Sequence, residues 1–330
     1  MIRYFVALAL PVALVWSGIA TLIALNVGVV VQGVYWETTG FDRKLAAARR
    51  PGPKIVIAAG SNAYFGINAG MLAAATGRHA VNLAMQGALP FRFYAALLEK
   101  HLAPGDIVLL PLEYAYYGDV HPSIRARVKA VEVGLDLTYS PQHLLDMPLH
   151  ESLGLLRHLT FQRLWEGVQE RFKLPEARKY RAGTLDEWGD NVADYRTPES
   201  HLHLRNALAE EATRALTRLE PTSDRVKSLE TFVAWARRHD VTVIAVLPNT
   251  VDAPPFSDAE LRTLKNQIVR FWQSIGVPVL QAGARLPVDQ MLDSPYHPTL
   301  EGARRRTRLL IDELCERHPI CLPRRATGSQ

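Results

Sequence analysis

KIVIAAGSNAYFG, residues Lys54 to Gly66, decides how the rest of the chain is read. Five apolar residues, Ile55 to Ala59, run into Gly60-Ser61-Asn62, and a helical pattern follows from about Ile67. That order predicts a buried strand, a tight turn and a helix. Ser61 then stands at the carboxyl end of a first parallel strand, where the amides of the turn point outward and a serine is placed as a nucleophile beside an oxyanion site. Gly-Ser-Asn is equally an ordinary turn tripeptide and a helix N-cap, so a nucleophile needs partners elsewhere in the chain.

Downstream the same alternation continues. A helix over roughly Asn68 to Thr76 leads to a second strand, His79 to Leu83, and a loop ending in Gly87, whose amide can approach a ligand with no side chain in the way. Pro90 to His101 is helical in pattern, Pro104-Gly105-Asp106 is a turn, and Ile107 to Leu112 is an apolar third strand leading into Glu113-Tyr114. After a looser stretch come a helix (Arg225 to His239), a fourth strand (Val241 to Leu247), a helix (Asp258 to Ile275), a short fifth strand (Val277 to Leu280) and a last helix to about Arg317. Strands alternating with helices of this length predict a parallel sheet covered on both faces.

The looser stretch, about 118–223, reads as a largely helical insertion capping the sheet edge, with helical pieces at Leu144 to Phe172 and Leu202 to Leu219. Between them lies a polar segment, Tyr180 to Pro198, bearing Trp188 and Tyr195, rings that either stack on a sugar or pin the loop down. His201 and His203 have no third ligand nearby, and no metal or other cofactor is expected.

Upstream, no charged residue occurs from Tyr4 to Val31, a length sufficient for a transmembrane helix. The run continues past the small residues Ser17 to Ala20, which argues for an uncleaved anchor over a signal peptide. The expected organisation is an anchor over 1–36, a linker over 37–53 ending in Pro51-Gly52-Pro53, and a catalytic domain over 54–330. Arg43, Lys44, Arg49 and Arg50 follow the span and would keep the domain cytoplasmic by the positive-inside rule. The chemistry below suits a domain facing the periplasm or outer surface, anchored in the cytoplasmic membrane, and that orientation is the expectation adopted.

With 48% hydrophobic and 22% charged residues, the chain has ample material for a core and is not a disordered class. The net charge of +5 is spread out apart from Arg304-Arg305-Arg306 and Arg324-Arg325, which read as a solvated helix face and a basic tail; no nucleic-acid partner is implied. Cys315 and Cys321 form either a disulfide closing the last helix or two free thiols.

The missing partners lie in MLDSPYHPTLEG, Met291 to Gly302, a loop after the last strand and therefore on the same sheet edge as Ser61. His297 there can take the serine proton, and Asp293 can turn back to hold the imidazole.

These blocks resemble the SGNH or GDSL hydrolase superfamily: Gly60-Ser61-Asn62 after a strand, Asn82 to Gly87, and Asp293 through His297 to Gly302. The resemblance covers about Lys54 to Arg317, apart from the insertion. It implies a flavodoxin-like three-layer α/β fold, a Ser61–His297–Asp293 triad, and oxyanion donors at the amides of Ser61 and Gly87. The superfamily's Asp-x-x-His becomes Asp-x-x-x-His here, and Pro111-Leu112-Glu113-Tyr114 lacks the usual third-block asparagine. Asn62 or a backbone amide is then the expected substitute donor, with Glu113 and Tyr114 beside the substrate. Among the branches, the chain looks most similar to membrane-anchored proteins that modify polysaccharides, such as alginate O-acetyltransferases and teichoic-acid D-alanyl-transfer proteins. Those work with a membrane-bound O-acyltransferase. The resemblance thus implies acyl transfer to a cell-envelope glycan, an esterase as the neighbouring activity, and a catalytically silent accessory subunit as the rival from another class.

Overall fold

A computed structural model of the chain describes residues 2–26, 35–87, 89–118, 147–157, 160–171, 184–213, 219, 221, 223–254 and 259–322. The end of the apolar run (27–31), the parts of the insertion over 119–146, 172–183 and 214–218, Asp258 at the expected start of a helix, and the basic tail from 323 lie outside the described residues. In chain order come helices α1 (Ile2–Asn26) and α2 (Tyr35–Ala48), strand β1 (Lys54–Ile57), helices α3 (Ser61–Gly66) and α4 (Ala69–Thr76), and strand β2 (His79–Asn82). Helix α5 (Phe91–His101) and strand β3 (Ile107–Leu110) follow, then helices α6 (Leu149–Leu156), α7 (Phe161–Arg171), α8 (Ser200–Thr213) and α9 (Asp224–Arg238). The chain continues through β4 (Thr242–Val246), β5 (Thr250–Val251), helix α10 (Ala259–Ser274), β6 (Val279–Leu280) and β7 (Arg285–Leu286) to helix α11 (Leu300–Arg317).

The chain divides into two compact units. The larger, Gly40–Val120 with Ala182–Gln330, is built on a five-stranded sheet of order β2-β1-β3-β4-β6, parallel throughout. Every residue of β1 and β3 is buried, as strands covered on both faces require. Helices α5 and α9 pack on each other, while α11 packs against α3 and α4, giving a mixed three-layer α/β arrangement. β1 pairs with β2 on one side and β3 on the other, so the chain reverses direction across the sheet beside β1. A crevice opens at the carboxyl ends of the strands at such a point, and the loops bearing Ser61, Gly87 and Glu113 all leave from there.

Residues expected as a linker hold helix α2 instead. Phe41, Lys44, Leu45 and Ala48 recur at helical spacing and are all buried, so this segment belongs to the core of the larger unit. The Lys44 ammonium, 1% exposed, donates to the carbonyls of Asn82 and Gly189 at 2.7 Å each, tying α2 to the end of β2 and to the 184–198 segment. Cys315 and Cys321 are joined in a disulfide, one of the two states the sequence allowed.

The smaller unit, Met1–Thr39 with His121–Arg181, contains α1, α6 and α7, with α1 and α7 packed together. Leu10, Val12, Leu14, Val15 and Trp16 of α1 are all more than half exposed. Side chains of α1 are described continuously over 9–22, and no helix is long and apolar enough among the described residues to cross a membrane.

Candidate active site

Gly60 ends the first crossover turn as the residue preceding α3, so Ser61 is the first residue of a six-residue helix rather than part of an open turn. Its amide therefore lies at a helix start, where backbone N–H groups have no intrahelical acceptor. A Cβ built on Gly60 would lie 2.2 Å from both the amide nitrogen and the Cα of Gly87, and one on Gly87 would lie 2.9 Å from the Glu113 carboxyl carbon. Gly60 needs to be glycine because the two backbones touch there, and a side chain on Gly87 would press on the Glu113 carboxyl. That contact brings the Gly87 amide beside the serine turn. No hydrogen bond from the amide of Ser61 or of Gly87 is found among the described residues, leaving two donors for an oxyanion.

The other half of the site comes from the loop before α11. Met291 and Pro298 form an antiparallel bridge, Leu292 N–H donates to His297 O at 2.7 Å, and His297 N–H donates to Ser294 O at 3.2 Å. This closed loop absorbs the extra residue between Asp293 and His297, and the aspartate still meets the ring. His297 Nδ1 lies 2.9 Å from Asp293 Oδ1, and His297 Nε2 lies 2.8 Å from Ser61 Oγ. A carboxylate only accepts, so Nδ1 carries the proton and Nε2 is free to accept from the serine hydroxyl. His297 and Asp293 are partly open to solvent, at 22% and 30% side-chain exposure. The Phe65 ring lies 4.6 Å from the imidazole, and Tyr195 meets Phe65 edge-on at 6.0 Å. Phe65 of α3 thus forms an aromatic wall next to the histidine, and Tyr195 of the 184–198 segment backs it.

Other expected contacts fall elsewhere. Asn62 is fully buried; its side-chain amide donates to Pro111 O at 2.9 Å and its backbone N–H to Glu113 Oε1 at 3.0 Å. The expectation that it substitutes as oxyanion donor is therefore corrected: its backbone N–H is taken by Glu113, and its side chain is fully buried with the amide on the Pro111 carbonyl. Glu113 also accepts from Gly60 N–H, Oε2 at 3.1 Å, so its carboxyl clasps the serine turn from behind rather than facing substrate. Burial pushes its pKa up, against the pull of those amides and of His297. Tyr114 is 3% exposed and sits in the core, not at the substrate face. The Trp188 ring packs 5.1 Å from His79, at the opposite end of β2 from the Gly87 loop. It pins the segment down and does not join the site.

Sequence reasoning missed Arg306. The arginine run was read as solvated, and Arg304 and Arg305 are exposed, but Arg306 is fully buried. The signal lay in the period: Ala303, Arg306, Thr307, Leu310 and Leu314 are the buried stripe of α11.

No family model and no curated protein matches the sequence. Among solved structures, the chain is similar to an acetyl xylan esterase from the rumen bacterium Butyrivibrio proteoclasticus, with a TM-score of 0.30 and 11% identity. The match covers 81% of this chain and 65% of that protein, less than two thirds of its length. A likeness at that level fixes neither fold family nor activity.

Proposed function

We propose that this chain moves an acyl group, in the first instance O-acetyl, onto or off a carbohydrate of the cell envelope through an acyl-Ser61 intermediate. What carries the reading is the continuous chain Ser61 Oγ, His297, Asp293, with bonds of 2.8 and 2.9 Å, beside two amides without an acceptor among the described residues. In the first step Ser61 Oγ attacks the acyl carbonyl while its proton passes to His297 Nε2. Asp293 holds the ring orientation and stabilises the imidazolium, and the amides of Ser61 and Gly87 receive the developing oxyanion. Collapse breaks the bond to the leaving alcohol, which takes the proton back from His297. A sugar hydroxyl or water then attacks acyl-Ser61 by the same steps in reverse.

Transfer to a glycan hydroxyl is the proposed outcome, with a membrane-bound O-acyltransferase as donor partner; a carbohydrate esterase differs only in using water. The single-pass anchor rests on the charge-free run from Tyr4 to Val31 in the sequence, which ends outside the described residues, and the Cys315–Cys321 disulfide supports an oxidising, extracytoplasmic compartment. Glu113, a carboxyl where a donor would be expected, favours the second reading, a silent glycan-binding subunit. Full-length protein in detergent, given p-nitrophenyl acetate with and without envelope polysaccharide, separates these. The proposal expects turnover that Ser61→Ala and His297→Ala each abolish, with acetyl appearing on the glycan. Equal turnover in folded Ser61→Ala overturns it, and acetate released without glycan acetylation makes the protein an esterase.

A further inference from the structure

The last helix reaches into the site from beneath. Arg306 Nη1 donates to the Asn62 carbonyl at 3.1 Å and to Asn62 Oδ1 at 3.3 Å. The same nitrogen donates to Asn249 Oδ1, and Nη2 donates to Leu247 O at 3.3 Å. Asn249, itself fully buried, donates through its side-chain amide to Tyr296 O at 3.0 Å. Asn62 is covalently next to Ser61 and Tyr296 is next to His297. The contacts therefore form a closed ring: Ser61, Asn62, Arg306, Asn249, Tyr296, His297 and, across 2.8 Å, Ser61 again.

We propose that Arg306 is a positioning residue that holds the Ser61 turn and the His297 loop in register, so that the serine–histidine bond depends on a side chain that touches neither group. The proposal rests on the acyl-serine reading of the site. A guanidinium suits the task because its planar fork reaches four acceptors on two separate segments at once, which an ammonium cannot do. Its burial is costly: burial pulls the Arg306 pKa down to about 9, only partly offset by Glu113 and Tyr114, and its Nε has no partner among the described residues. A core position needing only volume would be filled more cheaply by leucine or methionine. The chain also clears space for the fork. A Cβ on Gly66 would lie 2.6 Å from Nη1, so Gly66→Ala presses on the guanidinium without altering any member of the triad.

The test uses full-length protein and three readouts: the rate of Ser61 labelling by a fluorophosphonate, the downfield proton signal of His297 Nδ1–H, and the melting temperature. Misplacement near 1 Å costs on the order of 100-fold, so Arg306→Met should slow labelling by about that factor, and Asn249→Ala and Gly66→Ala by about 10-fold. Arg306→Lys should recover only part of the loss. The double variant Arg306→Met/Asn249→Ala should be no slower than Arg306→Met alone, because both changes break one network. The imidazole signal should weaken or shift in all of them. Should Arg306→Met fail to fold, Asn249→Ala and Gly66→Ala carry the test. Folded variants that label at the wild-type rate and keep the wild-type signal overturn the proposal. A wild type that is itself unlabelled overturns the acyl-serine reading instead, and the imidazole signal still reports whether Arg306 sets the register.

Discussion

Ser61, Asp293 and His297 were legible because each follows from a local rule: an apolar run ending at Gly-Ser, and an Asp and His in the loop before the final helix. Their coincidence on one sheet edge needed only the alternation of strands and helices. Glu113 and Arg306 were not legible, since a charged residue next to apolar ones gives no sign of which partner it meets across the fold. Glu113 accepts two amides with its two oxygens. Glu113→Gln places an NH2 group, which cannot accept, against one of them. We expect a loss of about 1–3 kcal/mol in chemical denaturation, together with slower Ser61 labelling. Unchanged stability would show that the clasp is unimportant. Asp293→Asn should keep the loop while favouring the wrong imidazole tautomer, lowering ester turnover by roughly 10³–10⁴-fold against a melting temperature near that of wild type.

Among elements, the four-residue strands β1 and β3 carry the site because each is fully buried and in register with its neighbours. Their amino-terminal edge is fastened by Asp106, which pairs with the Lys54 ammonium at 2.7 Å and accepts from the amides of Lys54 and Ala103. Both side chains are at most 5% exposed. Asp106→Ala leaves an uncompensated buried cation and should cost about 3–5 kcal/mol, read by urea denaturation; a loss below about 1 kcal/mol would mean that solvent reaches Lys54. Helix α2 reads as a linker because its mixed polar composition, with Thr38, Thr39 and Gly40, hides a short buried stripe that includes a lysine. The buried stripe becomes visible when Phe41, Leu45 and Ala48 are counted at helical spacing.

At the scale of the molecule, sequence pattern located the parallel sheet and the edge that bears the candidate site, because both follow from period and order. It did not separate the 184–198 segment from the rest of the insertion, since its membership of the larger unit depends on long-range contacts such as Lys44 to Gly189 and Gly70 N–H to Asp190 Oδ2. Stability should also depend on pH through His101, half-buried among basic groups. Burial, then Arg49, Lys100 and Lys54, push its pKa down to about 4. The unfolded chain takes up that proton near the ordinary value of about 6.5, so its contribution is intact above that pH and is lost as pH falls toward 4. His101→Gln should narrow the difference in melting temperature between pH 7 and pH 5; an unchanged difference would place the acid sensitivity elsewhere. The central claim, an acyl-Ser61 intermediate, is tested most directly by intact-mass and peptide analysis of the full-length protein after fluorophosphonate treatment. The account predicts one adduct per chain, on the peptide containing Ser61, absent in Ser61→Ala and strongly slowed in His297→Ala. A folded wild-type protein that carries no adduct on Ser61 would contradict it.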